Sequence, residues 1–470
     1  MSLRSVTILV ACLLIAVCPA VKAEDWPTYR HDNRRSSVTE ERLAVPLQKL
    51  WEHVANEYPQ PAWAGAAKWD SYAGISNLRS MRDFDPVFHV TAAQGCIFFG
   101  SSADDAVHCL DLATGRENWA YFTDGPVRLP PSFDNGKLYF GSDDGCAYCI
   151  RSESGELLWR YEVSPGGAKV PADSKLISLS PCRTGVLVQN GKAYFAASML
   201  PWQKTYLCAV NAESGTLGGA GLYRKEHQNM TAEGPMLASA TRLYVSQGRQ
   251  APLVFDAAGG STVQTLGSSG FGGVFGLLTE DSLFVHGHGQ NHRGSGELRF
   301  FGADKADLIV TFPRASSIVI RDGVVYLHAD GWLQAFDRAC YLDLQTQINE
   351  LQGRIQQLQE QRKKLAGDAE SQRKQLDAQI AAAQAEIPTL QAKLPGCFLW
   401  RVASDCPLSL ILAGDTLFAG GEGKVAAYET AAGGEIWSAP VEGRAHGLAV
   451  ANGSLLVSTD LGRIVCFAAP

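Results

Sequence analysis

Short segments rich in aliphatic and aromatic residues alternate with polar, glycine-containing turns along most of the chain. An aliphatic–aromatic pair after such a turn recurs at intervals of 38 to 55 residues, apart from one interval of 92. Four short strands in each repeat of about 40 residues is the pattern of a β-propeller blade. The sequence therefore predicts an all-β, eight-bladed β-propeller over residues 47–470. The pairs are Ile97-Phe98, Leu138-Tyr139, Ala193-Tyr194, Leu243-Tyr244, Leu283-Phe284, Val325-Tyr326, Leu417-Phe418 and the aliphatic Leu455-Leu456.

A glycine followed four residues later by a tryptophan marks several repeats, as in ATGRENW and SESGELLW. We expect the glycine to make the turn between the third and fourth strands and the tryptophan to dock between neighbouring blades. The same step occurs at Gly433 and Gly396, whereas the third repeat has Gly219 at the tryptophan position. The last repeat supplies only two strands, so LQKLWEHV near the N-terminus is predicted to complete it. The predicted docking residues are Trp51, Trp119, Trp159, Trp400 and Trp437.

The 92-residue interval contains a segment with a different period. Between residues 341 and 394 apolar residues recur at steps of three and four, which is a heptad pattern. It predicts an antiparallel α-helical coiled-coil hairpin, inserted in the sixth repeat between its third and fourth strands. Gly367-Asp368 is the predicted turn, and Pro388 is expected to kink or break the returning helix. Cys340 and Cys397 flank the two roots, so a disulfide and two free thiols are both open.

The N-terminal region has the features of an export signal. Residues 1–23 combine Arg4, an apolar run and a small-residue cleavage site, so residues 1–23 are predicted to be a signal peptide. The mature chain then begins at Glu24, and residues 24–46 form an N-terminal arm whose RHDNRR sequence we expect to be solvated. The protein is expected in the periplasm or cell envelope, with at most a peripheral membrane contact. Lipidation of Cys18 stays open, and a net charge of −7 argues against nucleic acid as a partner.

Charged residues are predicted to meet at one mouth of the central channel. Counting back from the turn that ends each inner strand places Arg128, Arg183 and Glu233 at one level in adjacent blades. Guanidinium groups side by side suit a small anionic or polar ligand, but a salt-linked, water-filled funnel is favoured over such a site. The segment 53–86, with Trp63, Trp69 and Tyr72, is predicted to cross one face as a lid. Further residues predicted near the mouth are Asp85, His89 and His446.

Two groups of metal-type ligands carry weaker signals. His286, His288 and His292 share a glycine-rich loop that fixes no ligand geometry, so a solvated loop is favoured over a metal site. Cys146 and Cys149 form a CxxC, but Cys149 aligns with small third-strand residues of other repeats, which favours packing. We therefore expect no bound metal at either place.

The units DLATGRENW, SESGELLW and LYFGSDDG resemble the repeats of eight-bladed quinoprotein-type, PQQ-binding-like propellers. This resemblance implies two functional classes. One comprises dehydrogenases that hold pyrroloquinoline quinone (PQQ) and calcium in the channel; the other is the BamB-like propeller of outer-membrane assembly, a non-catalytic protein scaffold.

The chain lacks the adjacent cysteine pair and the haem motif of the dehydrogenases. We therefore expect a non-catalytic binding or scaffold protein of the cell envelope without a cofactor. The hairpin is expected to contact an envelope protein or a second copy of the chain. A PQQ- and calcium-dependent dehydrogenase that uses the channel is the alternative.

Overall fold

The sequence repeats fold as separate antiparallel sheets. A computed structural model describes residues 23–63, 82–172, 174–248, 250–267, 272–288, 297–304, 306–365 and 369–470. Within these residues six sheets have four strands each. We number them in chain order. Sheet 1 contains β3 (Val90–Ala93), β4 (Cys96–Ser101), β5 (Ala106–Asp111) and β6 (Glu117–Phe122); sheet 2 contains β7 (Ser132–Asp134), β8 (Lys137–Gly141), β9 (Cys146–Arg151) and β10 (Leu157–Glu162).

The next four sheets repeat this plan. Sheet 3 contains β13 (Leu187–Gln189), β14 (Lys192–Ala197), β15 (Thr205–Asn211) and β16 (Tyr223–His227); sheet 4 contains β17 (Leu237–Ala238), β18 (Arg242–Gln247), β19 (Gln250–Asp256) and β20 (Thr262–Thr265). Sheet 5 contains β21 (Gly273–Leu278), β22 (Leu283–His288), β23 (Glu297–Gly302) and β24 (Leu308–Pro313); sheet 6 contains β25 (Ala315–Arg321), β26 (Val324–Ala329), β27 (Trp332–Asp337) and β28 (Phe398–Ala403). A separate hairpin, β11 (Lys169–Ala172) and β12 (Lys175–Ser178), precedes sheet 3.

The last two repeats share sheet 7, which has eight strands. Its longest strand, Glu435–Ala451, pairs through its first half with the strand before it in sequence and through its second half with the strand after it. The strands of the two repeats therefore form one continuous sheet. The strand Gln48–Val54 pairs with the C-terminal strand Arg463–Ala468 and places Trp51 opposite Cys466. Sheet 7 contains β1 (Val38–Thr39), β2 (Gln48–Val54), β29 (Ser409–Ala413), β30 (Thr416–Gly420), β31 (Glu422–Glu429), β32 (Glu435–Ala451), β33 (Ser454–Thr459) and β34 (Arg463–Ala468).

The hydrophobic core lies between the faces of consecutive sheets. One cluster of buried residues joins sheets 1 and 2 through Phe98 and Phe140, and a similar cluster joins each later pair. The cluster of sheet 7 also contains Ile97 and Phe99 of sheet 1. Because burial on both faces is satisfied all the way round, the sheets form a closed ring, which is a β-propeller.

Tryptophan side chains of the fourth strands dock on the following sheet. Trp119 donates from Nε1 to the carbonyl of Ser152 at 3.2 Å, and a Cβ on Gly155 would lie 2.8 Å from its ring. The glycine is therefore required twice, for a turn at φ +72° and for the space that the ring occupies. The same contacts join Trp51 to Leu112 and Gly115, Trp159 to Ala212 and Gly215, and Trp400 to Thr430 and Gly433; Trp437 donates to the carbonyl of Leu47.

The assignment of Gly219 to the tryptophan position of the third repeat is wrong. Tyr223 lies opposite Ala209, just as Trp119 lies opposite Cys109. Its ring covers Gly260, and its hydroxyl lies 3.4 Å from the carbonyl oxygen of Ala257. Extra residues before β16 moved the docking residue along the sequence, so counting from the glycine missed it.

Sheet 5 has Val310 at the docking position, opposite Phe300. The turn that would receive a tryptophan is replaced in sheet 6 by helix α1 (Arg338–Lys364), which begins directly after β27. Tyr341 of this helix packs against Phe312, with ring centroids 5.4 Å apart. A large indole has no glycine turn to cover here, and the helix fills the seam instead.

Helix α1 pairs with helix α2 (Glu370–Gln391), which is followed by a 3-10 turn at Leu394–Cys397. Helix α2 continues through Pro388, and the predicted turn Gly367-Asp368 lies outside the described residues. The seam between the helices is built by Leu351, Ile355, Leu358, Leu376, Ile380, Ala383 and Ile387.

The two ends of the helix pair show that it is antiparallel. Arg362 and Asp377 form an ion pair at one end, and a disulfide joins Cys340 to Cys397 at the other. Asn349 Nδ2 donates to the carbonyl of Ile309 at 2.7 Å, so the root of the pair is fixed to sheet 5. Among the described residues, neither helix has an apolar stretch that would cross a bilayer.

The expectation that the N-terminal arm is solvated is wrong. Trp26 and Arg35 are 1% and 2% exposed, and Trp26 bridges Ala92 of sheet 1. Residues 24–41 then hydrogen-bond to every sheet in turn. The partners are Phe133 of sheet 2, Val188 of sheet 3, Ala238 of sheet 4 and Met236 just before it, Gly276 and Leu278 of sheet 5, Ile318 of sheet 6, Leu412 of sheet 7, and Asn452 in the turn between β32 and β33.

The arginines of the arm act as internal ties. Arg35 donates from Nε and Nη2 to the carbonyl of Met236 and from Nη1 to three oxygen atoms of the arm itself. Burial lowers the pKa of both Arg30 and Arg35 to about 10, so both remain charged at neutral pH. Because the arm reaches the ends of the inner strands, it closes one end of the channel.

Candidate functional site

The opposite mouth of the channel gathers the charged residues that the sequence singled out. Arg128 precedes β7, Arg183 precedes β13 and Glu233 precedes β17, so three consecutive sheets each supply one side chain. Asp85 comes from the segment before β3. All four are buried, with exposures of 8%, 3%, 0% and 2%, respectively. The register thus brings these residues together, but inside the protein rather than on an open rim.

The carboxylate between the two arginines is Asp143, in the turn between β8 and β9. Arg128 Nε donates to its Oδ2 at 2.7 Å, and Arg183 donates from Nε to Oδ1 at 2.9 Å and from Nη2 to Oδ2 at 2.8 Å. Burial by itself raises the pKa of Asp143, but the charges and hydrogen bonds of both arginines outweigh it and lower the pKa below the ordinary value. The position suited to an anion is therefore taken by a residue of the chain.

Asp85 and Glu233 extend the network on either side. Arg128 Nη1 donates to Asp85 Oδ2 at 2.7 Å and to the carbonyl of Gln60 at 2.8 Å. Glu233 Oε2 accepts from Trp63 Nε1 at 3.0 Å and lies 3.5 Å from Arg82 Nε. Burial raises the pKa of both carboxyl groups, and the neighbouring arginines only partly oppose it.

Trp63 lies between two cations at the centre of this cluster. The guanidinium carbons of Arg82 and Arg183 lie 4.5 and 5.6 Å from the centroid of its ring. Both contacts are cation–π interactions in a desolvated setting, where they are strongest. The described part of the predicted lid therefore enters the mouth, while Trp69 and Tyr72 lie outside the described residues.

The lid and the arm meet inside the channel. Buried Phe84, Leu129 and Val274 pack against Tyr29 of the arm and against Ala62 and Trp63 of the lid. The ring of His89 contacts Tyr29 edge-on at 5.0 Å. Burial, helped by the nearby His446, lowers the pKa of His89 to about 3, so it is neutral at ordinary pH. His89 and His446 thus lie near each other, beside the arm.

Some buried polar atoms of the cluster have no hydrogen-bond partner among the described residues. Asp85 Oδ1 and Arg183 Nη1 are examples, although Arg183 Nη1 lies 3.8 Å from Glu233 Oε1. The cluster contains Arg82, Arg128 and Arg183 against Asp85, Asp143 and Glu233, so its formal charge is zero. Such an arrangement can hold a water molecule or a small polar group but has no excess charge to recruit an ion.

The other sequence candidates lie away from this mouth. His286 is buried in β22 with Nδ1 2.8 Å from the carbonyl oxygen of Phe275, whereas the His288 side chain and all of His292 lie outside the described residues. Cys149 packs in the core between sheets 2 and 3, and Cys146 packs in the core between sheets 1 and 2. The two CxxC thiols therefore face different seams. Within the described residues, no three His, Cys, Asp or Glu side chains are placed to share a metal.

The repeats match a known family. The profile of the family described as "Outer membrane protein assembly factor BamB" matches residues 49–339 and 394–469. The chain belongs to this family. The gap between the two matched BamB stretches contains most of the helix pair, so the helices are an addition to the BamB repeat.

Curated and solved relatives add a second similarity. The dehydrogenase subunit of alcohol dehydrogenase (quinone) from Gluconobacter oxydans is 27% identical over 135 residues, which are 26% of this chain and 17% of that protein. A europium-containing methanol dehydrogenase superposes with a TM-score of 0.57 at 10% identity, covering 95% of this chain and 98% of that one.

Two other solved structures are similar. The quinohemoprotein alcohol dehydrogenase from Comamonas testosteroni has a TM-score of 0.57 at 12% identity, covering 94% of this chain and 80% of that one. The computationally designed Ika8 protein has a TM-score of 0.52 at 9% identity, covering 83% of this chain and 98% of that one. At these identities the likeness concerns the fold.

The charged cluster of this BamB-family chain does not fit the calcium ion of a quinone and calcium site. Calcium takes six to eight oxygen ligands, most of them carboxylate or carbonyl oxygens free to turn towards it. Here each buried carboxylate of the cluster faces an arginine, and the Trp63 ring packs against Arg82 and Arg183. A divalent cation would have to displace these ion pairs inside a buried site.

Sequence reasoning missed two members of the cluster, Asp143 and Arg82, and it did not predict the hydrogen bond from Trp63 to Glu233. Asp143 belongs to the sequence GSDDG, which predicts a turn but gives no indication that the carboxylate pairs with two arginines. Topology could have pointed to Asp143, because the loop between the second and third strands of a blade lies on the same face as the starts of the inner strands, where Arg128 and Arg183 are.

Proposed function

We propose that the chain is an eight-bladed β-propeller that acts as a non-catalytic binding protein of the cell envelope. The helix pair, as a coiled-coil hairpin, serves as its partner surface. On this proposal each half of sheet 7 is one blade, and the six four-stranded sheets are the others. The partner is an envelope protein or a second copy of the chain.

One observation carries the proposal: the channel is filled by the chain itself. The arm enters from one end and Trp63 from the other, and both pack against the cluster of Phe84, Leu129 and Val274. An enzyme of this shape needs room on the axis for its substrate. A protein that fills this room and keeps its outer surfaces open is better suited to binding other proteins.

The hairpin offers the partner a defined surface. Helix α1 has 27 residues and is about 40 Å long at 1.5 Å per residue, and within the described part of the chain its contacts to the sheets are at its root. Apolar residues of both helices are used in their mutual seam. The outer face of α2 presents the exposed residues Ala378, Ala381, Ala382 and Ala385, which allow another helix to approach closely.

The test is affinity capture from the native envelope with a shortened hairpin. Replacing residues 351–387 by a short glycine-containing turn keeps the disulfide, Tyr341 and the Asn349–Ile309 contact, so the ring should stay folded. Ala382→Glu changes the outer face alone, and Ala113→Glu at an exposed turn is the matched control. We expect the first two variants to lose a partner that the control retains. Retention of every partner by both would contradict the proposal.

A PQQ-dependent dehydrogenase is the second candidate function, favoured by the identity to the quinone alcohol dehydrogenase subunit. Purified protein would be incubated with PQQ and calcium and assayed with alcohols or sugars and an artificial electron acceptor. Turnover that Glu233→Gln abolishes, with Glu280→Gln at the exposed surface as control, would establish the enzyme. The binding proposal predicts neither turnover nor a change in PQQ absorbance on mixing.

A further inference from the structure

Glu41 is a buried carboxylate held by backbone amides. Its side chain is fully buried. Its oxygens accept hydrogen bonds from the backbone nitrogens of Glu24, at 2.9 Å, Asn452, at 3.1 Å, and Gly453. These contacts join both ends of the arm to the turn between β32 and β33. Among the described residues, these backbone amides are the donors to Glu41, and a buried charge held by neutral donors is costly unless a cation also reaches it.

The nitrogen of Glu24 is placed to become that cation. Ala23 is exposed, and the Ala23–Glu24 bond is where the sequence predicts removal of the signal peptide. The rest of Glu24 is fixed: its Oε2 accepts from Thr39 Oγ1 at 2.7 Å, and its carbonyl accepts from Asn452 N at 3.1 Å. The nitrogen therefore stays beside Glu41 whether or not Ala23 precedes it.

We propose that cleavage of the Ala23–Glu24 bond creates an α-ammonium group that forms a buried ion pair with Glu41. A leader peptidase hydrolyses the amide: water supplies the oxygen of the new Ala23 carboxylate, and the freed amine of Glu24 takes a proton. The neutral hydrogen bond to Glu41 becomes a charge-assisted one at the same position. This inference concerns maturation and holds whatever partner the propeller binds.

The consequence is that processing fixes the arm in the channel. Residues 24–41 hydrogen-bond to all seven sheets, and Glu24 and Glu41 are the two ends of that path. An ion pair between the ends closes the path into a loop around the channel end. The mature ring is therefore more stable than the unprocessed one, and export and final folding are linked.

The test is a cycle of four purified proteins. Chains that begin at Glu24 or at Ala23, made by a protease that leaves no extra residue, are combined with Glu41 or with Glu41→Gln. We expect the extra alanine to lower the melting temperature by about 3 to 5 °C when Glu41 is present and by under about 1 °C when it is glutamine. Glu40→Gln, at the exposed neighbouring position, is the matched control and should keep the full effect of the alanine.

Mass spectrometry of the exported native protein supplies an independent readout and should give Glu24 as the first residue. A native N-terminus elsewhere, or an effect of the alanine that is equal with Glu41 and with glutamine, would overturn the proposal. If Glu41→Gln does not fold, the two Glu41 chains decide alone, and equal melting temperatures for them refute the ion pair.

Discussion

Replacing Asp143 by asparagine tests whether buried charge pairs hold the channel mouth. Asparagine has nearly the same size, but it removes the charge between two arginines and turns one acceptor oxygen into a donor. Three hydrogen bonds of 2.7 to 2.9 Å end on Asp143. Removing one partner of a buried pair costs about 3 to 5 kcal/mol. With an unfolding entropy of roughly 2 cal/mol/K for each of about 450 residues, the melting temperature should fall by about 3 to 5 °C.

The assay is differential scanning calorimetry of the wild type, Asp143→Asn and a control. Asp330→Asn is the matched control because Asp330 pairs with Arg314 at 2.7 Å while both are more than half exposed. Such a pair contributes about 0 to 1 kcal/mol, so the control should melt within about 1 °C of the wild type. Equal melting temperatures for the two variants would refute the reasoning that burial gives the cluster its weight.

Three further predictions concern stability. In urea unfolding, Gly433→Ala should destabilise the protein by at least about 2 kcal/mol more than Gly453→Ala, because both glycines have positive φ but only at Gly433 would a Cβ lie 2.4 Å from Trp400. Equal losses would show that the Trp400 ring can move aside without cost. Burial lowers the pKa of His108, but Asp104 and Glu117 outweigh burial and raise the pKa, so the stabilisation from protonated His108 is present below about pH 6.5 and is lost as the pH rises through the folded pKa. The wild type should therefore lose more stability than His108→Asn between pH 6 and 9, and parallel curves of unfolding free energy against pH would contradict this. Reducing the Cys340–Cys397 disulfide, whose loop spans 57 residues, should remove about 4 kcal/mol from the helix pair, seen as earlier loss of the helical circular dichroism signal with the β signal unchanged; an unchanged helical signal would contradict it.

The repeat and its docking tryptophans could be predicted because their signals are local. Glycine and tryptophan four residues apart identify a turn and a strand, and the hairpin follows from heptads at Ile348, Ile355 and Ile380. Tyr223 was missed for a physical reason. Once extra residues enter the turn, strand pairing to Ala209 sets the docking position, and distance from the glycine no longer does.

The candidate site could be predicted only in part. The repeat register placed Arg128, Arg183 and Glu233 together because they occupy equivalent positions in consecutive sheets. It could not show that Asp143 lies between the arginines, since that depends on how a turn folds over the mouth. The prediction for the arm was wrong because RHDNRR has the composition of a solvated basic segment. In the structure Arg35 donates to the carbonyl of Met236, which is 201 residues away in sequence. Long-range hydrogen bonds of this kind leave no periodic pattern.

Photo-crosslinking from the hairpin in intact cells tests the central claim most directly. A photoreactive amino acid would replace Gln359 on α1 or Ala382 on α2, both exposed, and Ala113 on sheet 1 as the control. The account predicts an adduct of one defined mass from each hairpin position, containing the same envelope protein or a second copy of the chain, and no such adduct from Ala113. Hairpin positions that give no adduct, or only the adducts that Ala113 also gives, would contradict the account.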